Sequence, residues 1–381
     1  MAKPSKVALV YCENYQLDDV RKSVKVGLNL LGGVEQFSRP DEKIVIKVNM
    51  LIGDDPAKCV GPHPIVFQAV LEEILGTKSD VSFGDSPGFG SPKAAARQAG
   101  LLAVAEKLEV PLADFETPVT QSYSNTHLIK QFTLAKGVVE SDGIISLCKL
   151  KSHGLTRLTG AIKNQFGCIP GMLKAEFHSR LPNADLFSQM LVDVNLAVKP
   201  RLFIMDGIVA MEGNGPRNGT PRPMHVLLFS TDPVALDAIV CRMVNLDETL
   251  VEPIKYGNAF GLGSSQDISL LGDPLERFIV PDFQVNRAKV STSGTRQSKI
   301  GKMVRNWIIP HPVISADKCN HCGRCETVCP AQPKALSWAN GKNNPPVYDY
   351  NQCIRCYCCQ ELCPHDAISI KVPLLGQLIR R

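Results

Sequence analysis

No apolar stretch in the 381 residues approaches the roughly eighteen residues that cross a bilayer as a helix. A membrane span is therefore not expected. The first apolar run, Val7–Val10, is too short for the core of a secretion signal and reads as a first β-strand. These absences point to a cytoplasmic, reducing setting. A glycine pattern for a nucleotide cofactor is missing too. The stretch from Gly84 to Gly90 fits neither G-x-G-x-x-G nor the phosphate-binding loop, so NAD and flavin are not expected. A formal net charge of +5 is too mild to argue for nucleic acid. Acidic residues are absent between Phe283 and Asp317, where six basic ones stand: Arg287, Lys289, Arg296, Lys299, Lys302 and Arg305. That stretch reads as an exposed linker with a short amphipathic piece around Met303–Ile309, or as a docking surface for an acidic redox partner or an RNA; the linker is the simpler reading.

What is present in excess is cysteine, in one place. Nine of the fourteen cysteines fall between Cys319 and Cys363. Eight of them form two copies of C-x2-C-x2-C-x3-C-P: Cys319, Cys322, Cys325 and Cys329 before Pro330, then Cys353, Cys356, Cys359 and Cys363 before Pro364. Three thiolates at this spacing wrap one face of a cubane, and the fourth must come from elsewhere. Each proline keeps a helix from running through the fourth ligand, because the residue before proline is pushed out of the helical region. Zinc ribbons use separated C-x2-C pairs and not this doubled run. Cys358 is set aside, since the spacing is met without it.

The doubled run resembles the ligand pattern of bacterial two-cluster ferredoxins, over about the last seventy residues. The likeness implies two [4Fe–4S] clusters with interlocked ligands. Cys319, Cys322, Cys325 and Cys363 would hold one; Cys353, Cys356, Cys359 and Cys329 would hold the other. A redox partner protein follows from it, as donor or acceptor of electrons, and exposed clusters suit an anaerobic cell.

From Val7 to about Phe283 short apolar runs alternate with helical patterns. Expected strands are Val7–Val10, Lys43–Val48, Asp80–Gly84, Gly143–Cys148, Arg201–Asp206 and His225–Phe229. Expected helices are Leu17–Leu31, Pro64–Leu75, Pro92–Leu108, Ala184–Val198 and Pro233–Val244, three of which open on a proline suited to a first turn. The alternation predicts an α/β domain with a largely parallel sheet, followed by a C-terminal α+β ferredoxin-type domain. The expected boundaries are residues 1–283, a basic linker at 284–309, and 310–381.

Ligands of such sheets sit beyond the carboxyl ends of the strands, and the segments expected there are polar. Lys47, Lys149, Lys151 and Lys163 with Asn164 would gather positive charge for an anionic small molecule, with Arg157 and Arg217 as weaker members. His153 and His178 are candidate acids or bases, and Lys163 joins them as a candidate catalytic residue. Asp85, Asp206 and Glu212 would bind a hard cation or neutralise the lysines. Cys148 and Cys168 lie beside these segments as activated thiols or as small buried residues. The competing reading is plain: loop lysines are usually solvated, and the glycine clusters are turns. Asp232 is explained as a helix cap; Asp237 has no such simple account.

Residues 5–285 resemble the domain-of-unknown-function 362 family. The likeness rests on Lys149-Leu-Lys-Ser-His153, Thr159-Gly-Ala-Ile-Lys163-Asn164, Met205-Asp206-Gly207, Gly213-Asn-Gly215-Pro216 and Thr231-Asp232-Pro-Val-Ala-Leu-Asp237. It implies an iron–sulfur association but no reaction. Three functions fit these observations. The first is a ferredoxin-linked reductase whose clusters exchange electrons with an anion on the α/β domain. The others are a non-enzymatic carrier that docks a partner enzyme, and an iron–sulfur or metal maturation factor.

Overall fold

The computed structural model describes residues 3–181, 183–288, 306–339 and 341–374. Seven strands build the main sheet: β1 (Ser5–Tyr11), β2 (Lys43–Lys47), β3 (Asp80–Gly84), β4 (Gly143–His153), β5 (Leu202–Glu212), β6 (Thr220–Ser230) and β7 (Ile268–Gly272). Their order is β7-β1-β6-β5-β4-β2-β3. All neighbours are parallel except β6, which runs antiparallel to both β1 and β5. A short strand, Arg157–Leu158, folds back on the end of β4.

The period-two alternation of strand side chains divides the apolar residues between two cores. Val7 and Leu9 of β1 join one core with Cys148, Met205 and Leu228. Ala8 and Val10 join the other with Ile46, Leu147, Ile204 and Phe229. Helices cover both faces, which is why the central strands read as near-continuous apolar runs. Local chemistry sets the helix starts. Asp232 accepts from the amides of Val234 and Ala235 at 2.8 and 3.0 Å, and Pro233 occupies the first turn. The helix expected over Pro92–Leu108 is two helices, Pro92–Gln98 and Leu101–Lys107, because Gly100 takes a left-handed φ of 71° and ends the first.

Three strands are much longer than the sequence suggests, β6 among them, which starts at Thr220 and not at His225. β4 runs on through Lys149–His153 and β5 through Gly207–Glu212, segments expected to be loops. The β5–β6 ribbon carries the extension, pairing Asp206 with Leu227 and Glu212 with Thr220 across a register shift, and Lys151 pairs with Met211. Lys149 and Lys151 are therefore buried strand residues.

In the cysteine-rich segment, strands His311–Ile314 and Ile368–Lys371 pair antiparallel. Between them lie the small Leu336–Ser337/Val347–Tyr348 ladder and the short helices Arg324–Thr327 and Cys358–Glu361. Of the basic stretch, Arg287 is described and donates to the carbonyls of Asn245 and Val244. Lys289, Arg296, Lys299, Lys302 and Arg305, and part of the piece around Met303–Ile309, lie outside the described residues.

The segment docks on the extended end of the β5–β6 ribbon. Arg217 grips Asp54 through two bonds of 2.8 Å and donates to the Cys363 carbonyl at 2.7 Å. Gln360, fully buried, donates to the Asn214 carbonyl and side chain, both at 2.9 Å. Leu51, Ile52, Val328 and Leu362 close an apolar contact beside them. Arg217→Ala leaves Asp54 buried without its planar partner, and is expected to cost about 3 kcal/mol in denaturant unfolding. Arg217→Lys should not restore it, because an ammonium cannot reproduce the fork; wild-type stability in either variant would contradict the docking role.

Candidate functional site

β2 and β3 end beside the middle of β4, where Lys47 is the last paired residue of β2 and Asp85 follows β3. Lys47, fully buried, sits 3.0 Å from Asp85 and donates to the Val48 carbonyl and to Asn164 Oδ1 at 2.6 and 3.0 Å. Asp85 also accepts from the Met50 amide at 2.7 Å. Asn164 in turn donates to Ser146 at 2.9 Å. Gly167 is required here, since a Cβ would strike the Asp85 carboxylate and the Lys47 ammonium.

The helix Gly160–Asn164 presents Lys163. Asp237 fixes its start by accepting from the amides of Ala161 and Ile162 at 2.6 and 3.1 Å. Gly160 has φ +59°, and a side chain there would collide with the same carboxylate. Asp237 is thus a positioning residue for Lys163. Burial pushes its carboxyl up to about 7, against the pull of the two amides. Lys163 itself makes no hydrogen bond or ion pair among the described residues; its ammonium lies 5.8 Å from the Phe166 ring centre. Burial pushes its pKa down.

A cavity of about 100 Å³ lies against these strand ends. Asp85, Ser86, Thr159, Lys163 and His178 wall it from the sheet side, and Cys358, Glu361 and Leu362 from the cysteine-rich segment. His153 stands behind Glu361. Its Nδ1 accepts from the amides of Leu155 and Thr156 at 3.0 and 3.3 Å, which assigns the neutral ring's proton to Nε2, 3.0 Å from Glu361 Oε1. Burial opposes charge on Glu361, but His153 and Lys163 outweigh it and bring the carboxyl to about 2. Burial, with help from Lys163, pushes His153 down to about 4. At neutral pH Glu361 is ionised and His153 neutral.

The remaining expected residues separate into two groups. His178 is on the wall, stacked on Phe187 at 4.3 Å, with burial holding it at about 3 and so uncharged. Lys174 joins it, donating to Ser86 and to the Ile169 carbonyl. Lys149 and Lys151 are absent from this wall. Lys149 pairs with Asp206 at 2.7 Å and contacts Tyr15, while Lys151 donates to the Val60 carbonyl at 2.5 Å. Asp85 and Asp206 neutralise lysines, and Glu212 accepts from the Gln284 amide. Arg157 pairs with Glu252 at 3.0 Å. Burial drives the thiols of Cys148 and Cys168 up, the latter to about 12, so neither is activated.

The cysteines surround two further cavities. Cys319, Cys322, Cys325 and Cys363 line one, and Cys329, Cys353, Cys356 and Cys359 line the other. Among the described residues no three His, Cys, Asp or Glu groups converge on a single ion position. Four thiols around each cavity match the ligand number of a cubane cluster. Cys322 is exposed, whereas Cys353 and Cys359 are buried, and Tyr348 donates to Cys359 Sγ at 3.2 Å. Sequence reasoning missed Glu361 and Cys358 as wall residues. Their only local signal was a position inside a ligand run, where neither is needed for the spacing.

An iron–sulfur unit docked on a mixed α/β sheet is the class this fold and these thiols define. The chain belongs to the family described as domain of unknown function (DUF362), whose model matches residues 44–242, just over half of the sequence. A 4Fe-4S dicluster domain model matches residues 311–365. The chain is 34% identical over 259 residues to a thylakoid-associated protein of Synechocystis sp., covering 67% of this chain and 79% of that one. It is 41% identical over 61 residues to an uncharacterized ferredoxin of Methanocaldococcus jannaschii, 16% of this chain and 77% of the ferredoxin. The lactate racemase apoprotein of Thermoanaerobacterium thermosaccharolyticum superposes with a TM-score of 0.43 at 12% identity, over 62% of this chain and 56% of that one. No helix among the described residues is long and apolar enough to cross a membrane.

The Asp237 carboxyl gives a pH signature. Its folded pKa of about 7 lies above the ordinary 3.8, so the folded state holds the proton more tightly. The stability it contributes is therefore full below pH 3.8 and is lost as pH rises through about 7. Asp237→Asn cannot titrate, and should flatten the fall in thermal midpoint between those limits. An unchanged fall would remove Asp237 as its source.

Proposed function

We propose that this protein is a redox protein in which the α/β domain holds a small anion at Lys163 while the cysteine-rich segment exchanges electrons with it. The observation that carries the reading is the shared cavity. One wall is the unpaired Lys163, and another is Cys358, Glu361 and Leu362, which neighbour Cys359 and Cys363, cysteines of different quartets. Two [4Fe–4S] clusters, bound by those quartets, would supply single electrons. The chain's own residues do the rest. Lys163 binds the anion and, with its lowered pKa, can give up a proton from Nζ. Glu361, fixed by His153 Nε2, keeps a negative charge opposite the ammonium. His178 stays neutral and shapes the wall. A redox partner protein would engage the side on which Cys322 is exposed.

Two variants test this. Protein reduced with dithionite and mixed anaerobically with the low-molecular-weight fraction of a cell extract should be reoxidised. Lys163→Met should slow that reoxidation roughly tenfold or more while the clusters remain reducible; equal rates would remove Lys163 from the site. Cys363→Ser should cost about half of the iron and sulfide, although Cys363 belongs to the second run, because its thiolate completes the quartet of the first. Full retention of iron would refute the interlocked ligand set.

A further inference from the structure

Four residues on the cavity wall carry buried side-chain oxygens that make no hydrogen bond among the described residues: Asn49 Oδ1, Asp85 Oδ1, Thr159 Oγ1 and Glu361 Oε1. Two of them are met by an ion-pair contact at 3.0 Å, Lys47 Nζ for Asp85 and His153 Nε2 for Glu361, so the oxygens with no partner of any kind are Asn49 Oδ1 and Thr159 Oγ1. Asp85, Thr159 and Glu361 are 2%, 5% and 8% exposed. Buried acceptors left without donors are costly, and native interiors rarely keep several together. The wall also carries the opposite need. Lys163 has three unpaired N–H donors, while Lys174 already spends two on Ser86 and the Ile169 carbonyl.

A bare anion would satisfy Lys163 but would offer no donor to Asn49 Oδ1 and would lie against the Asp85 and Glu361 carboxylates. A bare amine would satisfy the oxygens and leave Lys163 facing like charge. The volume of about 100 Å³ has room for a small organic acid.

We infer that the cavity takes a small carboxylate that bears a hydrogen-bond donor of its own, a hydroxy- or amino-substituted acid. Its carboxylate sits on Lys163, and its hydroxyl or ammonium group donates among Asp85, Thr159 and Asn49. This inference rests on the reading of the cavity as an anion site and adds the second half of the ligand.

Calorimetric titration of the anaerobic holoprotein with four probes tests it: acetate, ethylamine, glycolate and glycine, each taken to the same millimolar limit. Glycolate or glycine should bind at least tenfold more tightly than acetate and ethylamine. Thr159→Val should remove most of that preference while leaving acetate unchanged. If acetate binds as tightly as glycolate and glycine, the donor requirement falls and the anion site survives. Tightest binding by ethylamine would overturn the inference in favour of a cationic ligand. Binding by none of the four would remove the ligand site altogether, together with the proposed function, and leave a cavity filled by water. If Thr159→Val does not fold, the ranking of the probes on the wild-type protein decides alone.

Discussion

The Arg217 guanidinium sets the relation on which the site depends. It is clamped between the Asp54 carboxylate and the Cys363 carbonyl, and with Gln360 on Asn214 it holds the cysteine-rich segment on the extended end of the β5–β6 ribbon. A planar donor with five N–H groups can satisfy both partners at once, which fixes direction as well as distance. Only with the segment in that place do Cys358, Glu361 and Leu362 share a cavity with Lys163. Removed from it, Lys163 would be an ordinary solvated lysine.

Charge accounting separates scaffold from site. Several lysines are buried near the ends of β2 and β4, and in a medium of low dielectric each needs compensation. Lys47 has Asp85, Lys149 has Asp206, and Lys151 and Lys174 donate to carbonyls. These groups are internally satisfied and hold the strand ends in place. Lys163 differs: the first charge opposing its desolvation is Glu361, contributed by the other segment. The Gly160–Asn164 helix is in turn fixed by Asp237, so Lys163 is held in place by a cap.

Much of this was legible where the chemistry is local. The doubled cysteine run was legible as a resemblance to two-cluster ferredoxins, and that resemblance, more than spacing, implies the interlocked quartets; each set of four lines one cavity. Pro64–Leu75 and Ala184–Val198 match their expected bounds to the residue; a first-turn proline marks the start of one, and the structure adds the Asn183 cap to the other. Legibility failed where partners are distant. The polar residues of Lys149–His153 looked like a loop because the Asp206 that neutralises Lys149 lies 57 positions away, on a strand whose own length depends on pairing with β6. His153 had its partner on the far segment, and the glycine-rich turn around Gly215 proved to be the docking edge. Asp237 became intelligible only once the amides of Ala161 and Ile162 were seen above it.

The account stands or falls on whether the cavity between the two segments holds an organic anion. Mass spectrometry of the small molecules released from protein purified without oxygen, alongside iron and sulfide analysis of the same sample, addresses this directly. The account predicts one small acid per chain in addition to iron and sulfide for two clusters. Iron and sulfide with no stoichiometric organic anion would contradict it, and would leave a protein that carries electrons to a partner and transforms nothing itself.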